Sequence, residues 1–148
     1  MTHPIKFVSK IKNSIIISKI IVLGANAMNH FIDAYKNYAT FSGRANRPQY
    51  WYFVLFYIIV SFLLALIDLF LGTAGEIADT GFFGGLFALA SFVPTIAIAA
   101  RRLHDTGRSG WWQLIILIPI IGFIVLVFFL ASKGNEGENK YGIKPATD

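Results

Sequence analysis

Arg101-Arg102-Leu103-His104-Asp105-Thr106-Gly107-Arg108-Ser109-Gly110-Trp111-Trp112 lies between two apolar runs, each long enough to cross a bilayer. It carries three of the thirteen Lys and Arg residues of the chain. Charge that dense beside hydrocarbon fixes which way a membrane protein faces. It also marks the surface best suited to binding.

Working outward, Tyr50–Leu71 is apolar except for Ser61 and Asp68, and Phe82–Ala100 and Trp111–Ala131 carry no charge. At about 1.5 Å per residue each reaches on the order of 30 Å, the thickness of the hydrocarbon layer. A backbone in lipid must satisfy itself, so such runs predict helices, and no β-barrel alternation is present. With 55% apolar residues and a mean hydropathy of +0.60, the chain exceeds the roughly 45–50% usual for soluble folds. The expected class is an all-α integral membrane protein with three transmembrane helices preceded by a short amphipathic cytoplasmic helix.

The charges order these segments. Arg44 and Arg47 precede the first span, Arg101, Arg102 and Arg108 follow the second, and Gly72–Gly81 holds Glu76 and Asp79 but no Lys or Arg. Positive-inside reasoning puts residues 28–49 and the Arg101–Gly110 loop in the cytoplasm and Gly72–Gly81 outside. Tyr50-Trp51-Tyr52 and Trp111-Trp112 then sit at the cytoplasmic interface. Three spans send the tail, Ser132–Asp148, outward. Pro119 and Gly122 interrupt the third run, but its twenty-one residues cannot cross twice, so a kinked span is expected.

From Asn29 to Phe41, Phe31, Ala34, Tyr35 and Tyr38 recur at helical spacing, predicting a short aromatic surface helix. Ser42-Gly43 ends it, and Pro48 suits the first turn of the next span. Residues 1–27 have three readings. Phe7, Val8, Ile11, Ile15 and Val22 approximate a stripe for a surface helix. Ile15–Leu23 before Ala25-Asn26-Ala27 has the outline of a signal peptide, which Lys19 and the downstream charges argue against. The third reading is a translation start at Met28.

The basic stretch is read first as a topological anchor and second as a binding surface, where Arg forks hold a phosphate or a partner's acidic patch. The candidates for lipid or partner binding are Arg101, Arg102, His104, Asp105, Arg108, Trp111, Trp112, Arg44 and Arg47. His104 beside Asp105 is no catalytic dyad by spacing, and no nucleophile-elbow pattern surrounds Ser109. Asp105 is expected to pair with a local arginine or cap a turn. Asp68, the one acid inside a span, is read as interfacial, with a proton or ion role as the alternative. Gly84, Ala88, Ser91, Thr95 and Ala99 form a small-residue stripe for helix packing or self-association. The tail 134–142 is rich in turn formers, without P-loop or EF-hand spacing. No cysteine is present, and His3, His30 and His104 show no ligand spacing. No catalytic residue, metal or cofactor is expected, and the chain is not read as an enzyme.

Three motifs stand together: Tyr38-Ala39-Thr40-Phe41-Ser42-Gly43-Arg44-Ala45 followed by Arg47 and Tyr50-Trp51; Arg101-Arg102-Leu103-His104-Asp105-Thr106-Gly107 with Ser109 and Trp111-Trp112; and Gly137-Glu138-Asn139 with Tyr141-Gly142. In combination they resemble the bacterial domain-of-unknown-function 805 family of small inner-membrane proteins. The resemblance implies a multi-pass protein of the bacterial inner (plasma) membrane, and it implies no catalytic residues. It divides the chain into an N-terminal extension, 1–27, and a three-span membrane domain, 28–145, and favours Met28 as the start. The expected function is binding of anionic phospholipid, or of a membrane-protein partner or second copy, through the basic cytoplasmic loop. Nucleic acid is not an expected partner. The rival is a component of a transport or pore-forming system, which would need a polar stripe that the third run lacks.

Overall fold

The computed structural model describes residues 4–75 and 80–145, with side chains from residue 12 onward. Glu76 and Asp79 of the Gly72–Gly81 loop, Asp148 of the tail, and the side chains of Phe7, Val8 and Ile11 in the N-terminal stripe lie outside the described residues. The described part is helical: α1 (Pro4–Lys36), α2 (Arg47–Leu71), α3 (Phe82–Asp105), a 3-10 helix η1 (Gly110–Leu117) and α4 (Ile121–Ala131). Three of these are long and apolar enough to cross a membrane: α1 from Lys12, α2 and α3. The fold class is therefore the expected one, but the three helices are not the expected three.

The first difference lies at the N-terminus. One helix of 33 residues replaces the extension and the short aromatic helix, and it passes through Met28 without a break. Its last turns pack as the aromatic spacing required, although against protein and not on a membrane surface. Phe31 stacks on Phe53 at 5.8 Å and lies 5.6 Å from Phe56, and Ala34 joins Ala45, Phe53 and Ile98 in one core cluster. Tyr35 reaches α3, its hydroxyl 2.6 Å from that of Ser91.

α2 starts where its sequence dictates. The Asn46 side chain accepts from the Gln49 N–H, the Gln49 side chain accepts from the Asn46 N–H, and proline occupies the first turn, a reciprocal cap that satisfies two orphan donors. At its other end Asp68 is buried against the start of α3. It accepts from the Thr73 hydroxyl (2.6 Å) and from the backbone N–H groups of Phe83 (3.0 Å) and Gly84 (2.9 Å). A carboxylate there meets the positive end of the α3 dipole and three donors. Asp68 is thus a cap supplied by a neighbouring helix, more deeply buried than an interfacial placement implies.

α3 runs on to Asp105, so Arg101–Asp105 is helix and only residues 106–109 turn. The small-residue stripe divides: Ser91 and Ala99 are buried, whereas Ala88 and Thr95 are exposed. Beyond Ser109 the expected third span is absent. η1 and α4 fold back on each other as a hairpin. Gly122 marks their closest approach, where a Cβ would run into the Ile115 carbonyl oxygen. At the tip Ile120 has φ 64° and ψ −65°, and the Ile121 N–H closes on the Pro119 carbonyl at 2.7 Å, the geometry of a strained three-residue γ-turn. Pro119 has no N–H to leave unpaired, and Ile118 and Gly122 donate to Ile115 and Ile118, so much of the tip's backbone satisfies itself within an apolar surround.

Length explains the hairpin. Eight residues of 3-10 helix at about 2.0 Å each and eleven of α-helix at about 1.5 Å each both give roughly 16 Å, half a hydrocarbon layer. Twenty-one residues cannot cross twice, but they can enter one leaflet and return. The face of Leu126 and Leu130 packs with Ala99 and Leu103 of α3, and Leu117, Ile120, Phe123 and Phe128 are exposed. The tail consequently emerges on the same side as Gly110. That corrects the expectation of an outward-facing tail.

Candidate functional site

At the basic end the loop before α2, the last turn of α3 and the tail converge on one carboxylate. Asp105 closes α3, and Arg102, three residues earlier on the same face, donates to its Oδ2. Arg44, from the loop before α2, donates to Oδ1 through Nε (3.0 Å), with Nη2 2.9 Å away. Both guanidinium groups are fully enclosed. Buried charges of this kind survive only when their remaining donors are satisfied, and here backbone carbonyls supply the acceptors. Arg102 donates to Leu130 O (2.9 Å) and to Ser132 O at the end of α4. Arg44 donates to Asn135 O (2.6 Å), Gly137 O (2.6 Å) and Gly142 O (3.2 Å). The two arginines thus tie the loop, α3, the hairpin and the tail to one acid.

The tail completes the arrangement. The Asn135 N–H donates to Asp105 O at 2.7 Å, the Asn139 amide donates to His104 O at 2.9 Å, and Tyr141 stacks on the His104 ring at 3.8 Å. Gly134 lies so close to Asp105 that any Cβ would collide with the carboxylate. Outside this lock the tail is pinned by surface pairs. Lys133 (2.9 Å) and Lys144 (2.7 Å) flank Glu136 and hold its carboxyl at about 2, below its ordinary 4.5.

His104 and Asp105 do not form a dyad. The His104 Nδ1 lies 3.1 Å from the Gly43 carbonyl, and Asp105 faces the arginines, so the expected local pairing of Asp105 holds. Arg44, Arg102 and Asp105, grouped from the sequence with the binding candidates, are turned inward and committed to the chain. What faces outward is Arg47, whose Nε reaches Ser132 O at 3.2 Å, half-buried Arg101 and Arg108, and the two tryptophans. Arg108 lies 4.1 Å over the Phe129 ring, and Trp112 meets the same ring edge-on at 5.5 Å. Trp111 is 79% exposed and Trp112 47%.

Under Trp111 opens a cavity of about 360 Å³, lined chiefly by Phe41, Ile96, Ala100, His104, Trp111 and Gln113. Ile96, Ala100 and His104 step by four along one face of α3. Beside them the Arg101 Nε is buried without an acceptor among the described residues. Phe41 and Gln113 were not singled out by sequence reasoning. Phe41 lies inside the first of the three motifs and Gln113 directly after Trp111-Trp112, but nothing in local spacing joins them: the loop that carries Phe41 is placed by the pairing of Ala45 N–H with Arg101 O (2.9 Å).

The comparisons with known proteins agree with this architecture. A family model described as a protein of unknown function, DUF805, matches residues 38–143, which span α2, α3, the hairpin and the lock. The inner membrane protein YhaI of Escherichia coli K12 is 42% identical over 118 residues, 80% of this chain and 96% of the relative. The inner membrane protein YhaH of the same strain is 41% identical over 121 residues, with 80% and 97% covered. No solved structure matches. With its matched segment, its near full-length relatives and its long apolar helices, the chain belongs to the DUF805 family and is a multi-pass inner-membrane protein.

Proposed function

We propose that this protein is a non-catalytic inner-membrane protein that gathers anionic phospholipid at its basic, cytoplasmic face. The observation that carries the reading is the division of labour among the arginines. Arg44 and Arg102 are neutralised inside, while Arg47, Arg101, Arg108 and Lys133 ring the same end beside exposed Trp111 and Trp112. A basic residue at an anionic surface contributes roughly 1 kcal/mol of attraction, and indole rings favour the headgroup layer. The lipid-facing surface of the hairpin is apolar, with no polar stripe to support a transport reading.

Extraction of the full chain with its surrounding lipid into polymer discs tests the proposal. The wild-type discs are expected to be enriched in anionic lipid over the bulk membrane, and a triple variant, Arg47→Gln, Arg108→Gln and Lys133→Gln, to lose that enrichment. Bulk lipid composition around the wild type, or stoichiometric recovery of a membrane protein in place of enriched lipid, would overturn it.

A further inference from the structure

Two hollows meet at Ser109 and Trp111. One is the cavity of about 360 Å³ under Trp111, walled by Phe41, Ile96 and Ala100. The other, about 340 Å³ and more open, continues past Trp112 to Ile115 on the hairpin. Each volume falls in the range of small-molecule sites, roughly 300–1,000 Å³. Indole rings favour the headgroup layer, so the junction sits where the chains of a lipid leave its head. Neither hollow has a lysine, arginine, aspartate or glutamate among its described lining residues. A charged headgroup would lose its water there and gain no counter-charge.

The polar groups that line the junction are neutral, and each keeps some hydrogen-bonding capacity. The Gly43 carbonyl, 3.1 Å from His104 Nδ1, can only accept, so the neutral imidazole carries its proton there and leaves Nε2 as an acceptor. That nitrogen would stand 3.6 Å from a Cβ on Gly110, itself a lining residue. Gln113 donates its amide protons to the Ile96 and Gly110 carbonyls (3.3 and 3.1 Å), which leaves Oε1 as a second acceptor. The Ser109 hydroxyl, shared by both hollows, accepts from the Trp111 N–H at 3.4 Å and retains its own proton to donate. Acceptors beside a hydroxyl donor, where two apolar hollows diverge, select an uncharged lipid with a hydroxyl, ester carbonyls and two chains. We infer that the site takes a diacylglycerol. Its hydroxyl donates to His104 Nε2 and an ester carbonyl accepts from Ser109, while one chain lies along Phe41 and Ile96 and the other along Trp112 and Ile115. The inference goes beyond the anionic-lipid reading, whose cations Arg47, Arg101, Arg108 and Lys133 line neither hollow.

Native mass spectrometry of the full chain in detergent tests it, with dioctanoylglycerol in equimolar competition against its acetyl-capped form and against dioctanoyl phosphatidylglycerol. The wild type is expected to hold one dioctanoylglycerol, preferred over the capped form by about fivefold or more, the scale of one neutral hydrogen bond. Phosphatidylglycerol should compete no better than the capped form. Ile96→Trp, which fills the first hollow, should lower occupancy about tenfold or more, and Ser109→Ala about threefold. The Arg47, Arg108 and Lys133 triple variant should bind dioctanoylglycerol as the wild type does, so loss of anionic enrichment and loss of this site are separate results. Thermal midpoints identify the folded variants, and the competition among probes on the wild type decides alone where a variant does not fold. Equal binding of the capped form would overturn the site, as would a preference for phosphatidylglycerol. Wild-type occupancy in folded Ile96→Trp or Ser109→Ala, or loss of binding in the folded triple variant, would do the same.

Discussion

Two buried carboxylates stand at opposite ends of the α2–α3 pair, and they are satisfied by opposite means. Among the described residues Asp68 meets neutral donors, backbone N–H groups and a threonine hydroxyl, at the start of α3. Asp105 meets two arginines at its end. The first arrangement is local: it needs one turn and the helix dipole. The second spans the chain, joining Arg44 to Asp105 and through backbone carbonyls to residues 130–142. One acid finishes a helix, and the other assembles the protein.

The largest expected effect follows from that contrast. Asp105→Asn leaves two enclosed guanidinium groups facing a neutral amide, and breaking a buried pair by removing one partner costs about 3–5 kcal/mol. The thermal midpoint in detergent should collapse, with the tail becoming protease-sensitive. A midpoint within a degree or two of wild type would mean that Arg44 and Arg102 are not enclosed as described.

Gly134→Ala probes the same lock without changing charge. Its new Cβ must displace Asp105 or the tail, and overpacking of this sort costs typically 1–3 kcal/mol. Proteolysis between residues 133 and 142 should quicken while α2 and α3 remain protected in limited digestion. Asp68→Ala should be milder, on the order of 0.5–2 kcal/mol as for other lost caps, and should leave the tail's protection untouched. Coupled loss of tail protection in Asp68→Ala would break the separation of the two ends.

The smallest effect comes from Glu136. Its folded pKa of about 2 lies below the ordinary 4.5, so pairing with Lys133 and Lys144 favours the docked tail above about pH 4.5 and is lost as pH falls toward 2. The pairs are solvent-exposed and screened by salt. Tail protection should be flat from pH 7 to 5.5 and decline modestly below 4.5, and Glu136→Gln should abolish that decline. An unchanged acid profile in Glu136→Gln would assign the decline to another group.

Much of this was legible in the chain. Pro48 marks the first turn of α2, the apolar runs give α2 and α3, and the three motifs give the family. The partner of Asp105 within helical reach was also foreseeable. Arg44 was not, because a contact between residues 61 apart leaves no trace in local spacing, and charge counting reads every arginine near a membrane as a surface cation. The third run misled through its length. Its twenty-one residues satisfy the span criterion, and Pro119 and Gly122 signal a kink and a hairpin equally. The approach of Gly122 to Ile115 and the closure of Arg102 onto Leu130 and Ser132 decide between them.

That closure is the central claim, because it puts the tail and the basic loop on one side of the membrane. The chain has no cysteine, so single cysteines report cleanly. Ala74→Cys marks the loop between α2 and α3, and Glu138→Cys marks the tail; both positions are exposed. With a membrane-impermeant thiol reagent, Ala74→Cys should label in intact spheroplasts, while Glu138→Cys should label only in inverted vesicles. Labelling of Glu138→Cys in intact spheroplasts alongside Ala74→Cys would make the third run a full span and contradict the account.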